Sequence, residues 1–379
     1  MQKIVNGLVQ LPDFLKEVGC KKLFLVMDSS YPFLNIKDAI EALPVNDKVT
    51  FCNFTPNPTY EQVCEGIELL ENSHCDTILA VGGGSAIDVA KCIKLAVLAE
   101  EGSSAIIPPL VSKRLPIDGA KIPFIAVPTT AGTGSESTHN AVMYYKGAKQ
   151  TVTNDGILPD YAVLEPSVLK TLSLYQKKCT MMDALCQGIE SWWSVNSTDE
   201  SKEYSKAAVE LIMDNWRKYI FENDGEAASK IMLAANYGGR AINIAQTTAA
   251  HAMSYKITSL YNLPHGHAVA ICLPAIWDYM LEHIKACVDI RGGKYLVDVF
   301  KSIALSIGAH SVDEAIGIFR DMMRDMGLGS PVFDNDEATE IETLCKSVNP
   351  IRLNNNPIRL DNDSIYYLYS HIFNREALQ

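Results

Sequence analysis

Ten cysteines are present, yet no two stand as a C-x-x-C pair, and positions 20, 52, 64, 75, 92, 179, 186, 272, 287 and 345 follow no framework spacing. That lack argues against a disulfide scaffold and for free thiols in a reducing compartment. Also missing is any uninterrupted apolar run approaching the roughly 18 residues that a membrane helix needs. The opening segment, MQKIVNGLVQLPDFLKEVG, carries acidic residues and lacks the apolar stretch of a signal peptide, so a cytoplasmic protein is expected. Basic charge is scarce: 33 Lys and Arg stand against 45 Asp and Glu, a net charge of −12. A nucleic-acid partner held by a general electrostatic footprint is therefore not expected, although a local basic pocket for a small anion is compatible with this balance. There is no low-complexity linker and no internal repeat.

What is there reads as a soluble enzyme of two domains, since 379 residues with 47% hydrophobic and 21% charged content allow two sizeable cores. The first half alternates short apolar runs with amphipathic stretches. KKLFLVMD (21–28) and VTFCNF (49–54) read as strands, with a helix near 36–43 between them. YEQVCEGIELLENS (60–73) reads as a helix with Val63, Ile67 and Leu70 on its apolar face. CDTILAVGGGSAIDVAKCIKLAVLA (75–99) is strand, tight loop and helix, and IPFIAVPTT (122–130) is a further strand. This alternation predicts an α/β, doubly wound, mostly parallel sheet over 1–166. After Pro166 helical periodicity dominates, and an all-helical domain is predicted over 167–379. The two are expected to pack closely and enclose a cleft.

Two loops leave the ends of predicted strands, where ligands collect in open α/β sheets. In the first, Val81-Gly82-Gly83-Gly84-Ser85, glycines let a backbone approach a pyrophosphate and the helix start favours its charge. The spacing is neither G-x-G-x-x-G nor a Walker loop, so a plain tight turn is an equal reading of this stretch alone. The second loop, Pro128-Thr129-Thr130-Ala131-Gly132-Thr133-Gly134-Ser135-Glu136, offers hydroxyls and glycines suited to a ribose-phosphate surface. Asp28, ending the 21–28 strand, suits an adenosine ribose and repels a 2′-phosphate, favouring NAD(H) over NADP(H); a capping or turn aspartate is the alternative. In the helical half, Asp183, His251 and His265 stand in apolar surroundings where isolated polar groups are costly. Singly each reads as a cap, a turn residue or a packed side chain. Together they form a candidate metal centre.

GGGSAIDVAK (82–91), PTTAGTGSES (128–137), DALCQGIES (183–191) and HAMSYKITSLYNLPHGHAVAI (251–271), in this order, resemble the iron-dependent, group III alcohol dehydrogenase family. The resemblance implies a dinucleotide-binding α/β domain, a helical domain, one divalent metal and the cofactor in the cleft between them, and a homodimer or higher homo-oligomer. Residue by residue, it implies that Gly83, Gly84, Ser85 and Asp88 meet the pyrophosphate, that Thr129, Thr130, Thr133 and Thr138 line the nucleotide, and that Lys149 approaches its ribose. It implies Asp183, His251 and His265 as ligands of Fe2+, with Zn2+ or Mn2+ as alternatives.

Two positions depart from the pattern. Gln187 stands one turn after Asp183, where the family has a fourth histidine ligand, and a glutamine carbonyl suits a hard divalent ion better than a soft one. Tyr255 stands where many members carry a proton-relaying histidine, and a tyrosine hydroxyl can still donate to a developing alkoxide. His267 is a second candidate relay. The pairing of DALCQGIES with AINIAQTTAAHAMSY resembles a phosphonoacetaldehyde reductase subgroup, whose product is 2-hydroxyethylphosphonate. Such a substrate needs a cation; Arg240 and Lys256 are nearest in sequence, with Arg352 and Arg359 in NPIRLNNNPIRLD as others. Rival readings are a glycerol or other short-chain alcohol dehydrogenase, an NAD-dependent lyase of dehydroquinate synthase type, and a non-catalytic nucleotide-binding relative.

Overall fold

The structure, a computed structural model, describes residues 2–99, 122–334 and 336–373. Contacts divide the chain into two compact units, one of 1–172 with 223–239, the other of 173–222 with 240–379. Relative to the boundary expected near residue 166, the segment 223–239 is an added return to the first unit. Among the described residues no helix is long and apolar enough to cross a membrane.

The first unit is built on six parallel strands, β1 (Lys3–Asn6), β2 (Lys22–Met27), β3 (Asp47–Phe51), β4 (Thr77–Gly82), β5 (Phe124–Pro128) and β8 (Tyr161–Leu164), in the order β1-β8-β5-β4-β2-β3. The central strands are apolar without alternation because both faces are covered: every residue of β4 and β5 is buried. The covering helices include α1 (Leu11–Glu17), α2 (Lys37–Glu41), α3 (Tyr60–Ser73) and α4 (Gly84–Ala99). Helix α3 starts at Thr59, whose hydroxyl and the Gln62 side chain form a reciprocal capping box, and it buries Val63, Ile67 and Leu70.

Two features have no counterpart in the sequence reading. β1 and β8 form one flank of the sheet, pairing Lys3–Asn6 with Tyr161–Leu164. The strands β6 (Asn140–Tyr145) and β7 (Ala148–Thr153) form a separate antiparallel hairpin closed by Lys146 and Gly147, both at positive φ.

Among the described residues no strand follows β8. The later helices are α5 (Leu174–Trp193), α6 (Asp199–Arg217), α7 (Gly225–Ala245), α8 (Ala249–Leu260), α9 (His265–Glu282), α10 (Gly292–Ile307), α11 (Val312–Met326), α12 (Glu337–Ser347), the short α13 (Pro350–Leu353) and α14 (Asn362–Phe373). The fold class is thus the expected one, a parallel α/β unit and a helical one. Within the second unit α9 packs against both α5 and α8. The core beside them is aromatic, with the Trp193 and Trp277 rings edge to face at 5.4 Å and Phe300 against both.

Candidate metal centre and nucleotide loop

In the first unit the glycine loop is held from below by Asp28. Its Oδ2 accepts the Gly83 N–H at 2.9 Å, while Oδ1 accepts from the Ser30 backbone at 2.9 Å and the Ser30 hydroxyl at 2.5 Å. Gly82 has no room for a side chain: a Cβ there would lie 2.6 Å from Asp28 Oδ2. Gly83 O takes the Ala86 and Ile87 amides and so starts α4. The Gly84 and Ser85 amides lie in the first turn of α4, where helix N–H groups lack intrahelical acceptors, an arrangement suited to a phosphate. Thr130 and Thr133 stand over Gly83 and Gly84 respectively, at 3.5 and 3.0 Å from where their Cβ atoms would be. Ser85 Oγ accepts a long 3.4 Å bond from the Asn57 backbone.

The second loop is pinned by a residue that the sequence reading passed over. Lys91, fully buried on α4, donates from Nζ to Ser135 O, Ser135 Oγ, Thr138 Oγ1 and Asn140 O at 2.6–2.9 Å. Burial pulls its pKa down to about 8, with the Asp88 and Glu136 charges opposing. Asp88 accepts the Ser135 hydroxyl at 2.6 Å and the Val142 amide at 2.9 Å. Of the residues expected at the nucleotide, Asp88 and Thr138 therefore hold the loop in shape, Thr129 is buried, and Lys149 lies on β7 opposite Tyr144.

In the second unit, Asp183 on α5, His251 on α8 and His265 at the start of α9 bring ligand atoms within 4.8 Å of one another. Asp183 Oδ1 is 3.3 Å from His251 Nε2 and 3.9 Å from His265 Nε2. The residues fit a divalent ion. His251 Nε2 is buried without a hydrogen bond, and one carboxylate with two imidazoles is a donor set for a borderline divalent metal. The approach of α9 to α5 depends on Gly266: a Cβ there would lie 2.0 Å from the Cys179 carbonyl oxygen and 2.8 Å from Asp183 Cβ.

Glu190, absent from the sequence reading, organises this centre. Its Oε2 pairs with His251 Nδ1. Its Oε1 accepts the Thr248, Ala250 and His251 amides at 3.1, 2.9 and 3.3 Å and the Thr248 hydroxyl at 2.8 Å. One fully buried carboxylate thus caps α8 and orients the imidazole, leaving Nε2 to face Asp183. Burial depresses the His251 pKa, but the Glu190 charge, the close approach of Asp183 and the bond to Glu190 outweigh it and lift the value to about 9. The signal was legible in principle. Asp183, Gln187 and Glu190 fall at i, i+4 and i+7 of one helix, and a carboxylate in so apolar a stretch needs a partner.

The remaining candidates separate. Gln187 Nε2 donates to Asp183 Oδ2 at 3.4 Å. The Tyr255 ring lies parallel to that of His265, at 3° and 5.5 Å between centroids, and its hydroxyl accepts from Arg352 Nη1 at 2.8 Å. Both His267 nitrogens are engaged: Nε2 donates to Gly329 O and Nδ1 accepts the Tyr175 hydroxyl, each at 2.9 Å, and burial lowers its pKa. Arg240 lies over the Tyr204 ring at 5.4 Å, Lys256 is half-buried, and Arg359 is exposed.

Residues 4–166 match the family model for iron-containing alcohol dehydrogenase, and 178–373 match that for the C-terminal part of the Fe-containing alcohol dehydrogenase family. Over 304 residues the chain is 28% identical to long-chain-alcohol dehydrogenase 1 of Geobacillus thermodenitrificans, covering 79% of this chain and 74% of that one. Over 260 residues it is 34% identical to phosphonoacetaldehyde reductase of Streptomyces viridochromogenes, covering 65% and 64% respectively. The crystal structure of sulfoacetaldehyde reductase from Bifidobacterium kashiwanohense in complex with NAD+ has the same fold, with TM-score 0.85, 24% identity and coverage of 99% of this chain and 98% of that chain.

Proposed function

The chain belongs to the iron-containing alcohol dehydrogenase family, and from that premise we propose that it reduces a small anionic aldehyde with NADH, phosphonoacetaldehyde to 2-hydroxyethylphosphonate being the best-supported reaction. The observation that carries the reading is the cluster of Asp183, His251 and His265 with Glu190 behind it. These three side chains would hold one divalent ion, Fe2+ ahead of Zn2+ or Mn2+. Such an ion supplies Lewis acidity toward a carbonyl oxygen.

The chain's own residues do the rest. Glu190 keeps the His251 proton on Nδ1, so that Nε2 stays a donor atom toward the Asp183 side. The Gly84 and Ser85 amides and the α4 start take the cofactor pyrophosphate, and the Asp28 charge beside Gly83 disfavours a 2′-phosphate, hence NADH over NADPH. A reduced nicotinamide bound there would supply the hydride for the aldehyde carbon, and the proton for its oxygen would come from this chain. Tyr255 is the proton donor in this reading: its ring stacks on that of His265 and its hydroxyl accepts from Arg352. His267, with both nitrogens occupied, positions the start of α9.

The test is an anaerobic aldehyde panel with NADH and added iron, zinc, manganese or no metal, followed at the reduced-nicotinamide absorbance. Phosphonoacetaldehyde should be the best substrate, with activity dependent on metal. Asp183→Ala should lose both bound metal and turnover, by at least about 1000-fold. Acetaldehyde turned over as well as its phosphono derivative would overturn the substrate, and near-normal activity of Asp183→Ala would overturn the metal centre.

A further inference from the structure

We propose that Lys91 is a positioning residue for the cofactor: its buried ammonium holds Thr133 over the glycine loop, and NADH binds tightly only while that nitrogen carries its proton. The inference rests on the reading above that the pyrophosphate sits at the Gly84 and Ser85 amides, and it names what keeps the facing loop in place. Every residue it uses belongs to the first unit.

The chain of contacts is short. After β5 the loop is tied at its near end by the Thr129 amide, which donates to Gly82 O at 3.0 Å. Its far end is tied by Lys91 Nζ, at 2.6 Å from Ser135 O, 2.9 Å from Ser135 Oγ, 2.9 Å from Thr138 Oγ1 and 2.7 Å from Asn140 O. Ser135 passes this hold on. Its amide donates to Thr133 Oγ1 at 3.2 Å, and that hydroxyl oxygen stands 3.0 Å from where a Gly84 Cβ would be. Gly134, between them, has φ 59°, and a Cβ on it would lie 2.5 Å from Gly239 Cα, so the backbone has no slack there. Asn236 on α7 closes the turn from the other side, donating from Nδ2 to Ser137 Oγ at 2.6 Å and to Glu136 Oε1 at 3.0 Å.

The site is made for the charged form of the side chain. All the neighbours of Nζ are oxygens, and Ser135 Oγ is free to accept because its own hydrogen goes to Asp88 Oδ1 at 2.6 Å. An ammonium meets such a set with three N–H groups and no lone pair; a neutral amine has one N–H fewer and a lone pair turned toward oxygen. Loss of the proton must therefore release part of the hold on Ser135 and Asn140. Burial is the largest influence on the Lys91 pKa and brings it down to about 8, against the charges of Asp88, 4.0 Å away on the same helix, and Glu136 in the turn. The other charged neighbours look elsewhere: Lys149 on β7 acts on Asp88, and His139 pairs with Asp155 at 2.9 Å. Burial raises the thiols of Cys92 on α4 and of Cys64, which faces it from α3, so neither titrates before Lys91.

The experiment measures Kd for NADH by its fluorescence, and for ADP-ribose by displacement of NADH, on the metal-loaded full chain between pH 6.5 and 9.5. Wild type is compared with Lys91→Met, which keeps the apolar stem, and with Lys91→Met combined with Asp88→Asn, which also removes the carboxylate left without its countercharge. In the wild type Kd for NADH should be nearly level up to pH 7 and rise about 10- to 30-fold by pH 9.5, as a proton lost near pH 8 requires. Lys91→Met should bind NADH about 10- to 100-fold more weakly at pH 7, should lose affinity for ADP-ribose by the same factor, and should show no further change with pH. The double variant should share the weak, pH-independent binding, and thermal unfolding shows that each variant is folded. A wild-type Kd that stays level to pH 9.5 overturns the assignment, and so does an alkaline rise that persists in Lys91→Met. Loss of NADH affinity with ADP-ribose binding intact would move the effect away from the pyrophosphate and overturn it too. Should neither variant fold, the wild-type profile alone decides. A wild type that binds NADH at no pH removes the cofactor reading and this inference with it.

Discussion

Glu190 determines which nitrogen of His251 is available to a metal. Its Oε1 is occupied by three amides and a hydroxyl and its Oε2 by Nδ1, so a glutamine in its place would keep the carbonyl toward the amides and turn its NH2 to the imidazole. Nδ1 would then have to accept, the proton would move to Nε2, and that nitrogen could no longer ligate. Glu190→Gln should therefore weaken metal retention about 10- to 100-fold, read as metal per chain after dialysis against graded chelator; wild-type retention would sink the argument. Gln187 gives the opposite test. Its amide donates to Asp183 Oδ2, one turn along α5, where an imidazole would point a nitrogen the same way. Gln187→His should tighten metal binding by about 10-fold or more in the same assay, most clearly with zinc. At this scale Asp183, His251 and His265 were legible because each is a polar group in an apolar setting. Glu190 carried the same signal, but its purpose lies in α8, and no spacing in the sequence announces a cap supplied from another helix.

Among the elements, α9 has a narrow tolerance. Its first turn supplies His265, and its second residue, Gly266, meets the α5 backbone at a distance that no side chain permits. Gly266→Ala must push α9 away from Cys179 and carry His265 from Asp183, now 3.9 Å apart. A substitution that merely overpacks a core costs about 1–3 kcal/mol, and this one meets backbone, which cannot swing aside. The variant should unfold at lower temperature and retain less metal than wild type; normal stability and normal metal content together would contradict the close packing. Legibility at this scale follows burial. Helix α3 matches its predicted range because capping box and apolar face agree, and β4 and β5 are continuous apolar runs. The β6–β7 hairpin was missed because AVMYYKGAKQTVTN is polar on much of its surface and its register depends on the turn at Lys146 and Gly147. The β1–β8 pairing joins segments far apart in the chain, which local pattern cannot reveal.

For the whole molecule, the order of motifs along the chain disclosed the family and the class of fold, while the return of 223–239 to the first unit stayed hidden, because α7 looks the same in sequence whichever unit its residues contact. What the assembled chain adds is a coupling of metal, proton and stability. His251 is held between two carboxylates, and its pKa in the folded metal-free protein is raised to about 9, above the ordinary imidazole value near 6.5. A folded-state pKa raised in this way contributes stability that is fully present below about pH 6.5 and is lost as pH rises through about 9. The metal-free protein should therefore melt at lower temperature at pH 9.5 than at pH 7. An ion bound at Nε2 takes the place of that proton, so loading at pH 7 should release a proton to the buffer, and the rise in unfolding midpoint on adding metal should be larger at pH 9 than at pH 6.5. Calorimetric titration in two buffers of different ionisation enthalpy measures the proton, and thermal unfolding with and without metal at the two pH values measures the coupling. A metal-induced shift of the same size at both, with no proton released at pH 7, would mean that His251 does not meet the ion.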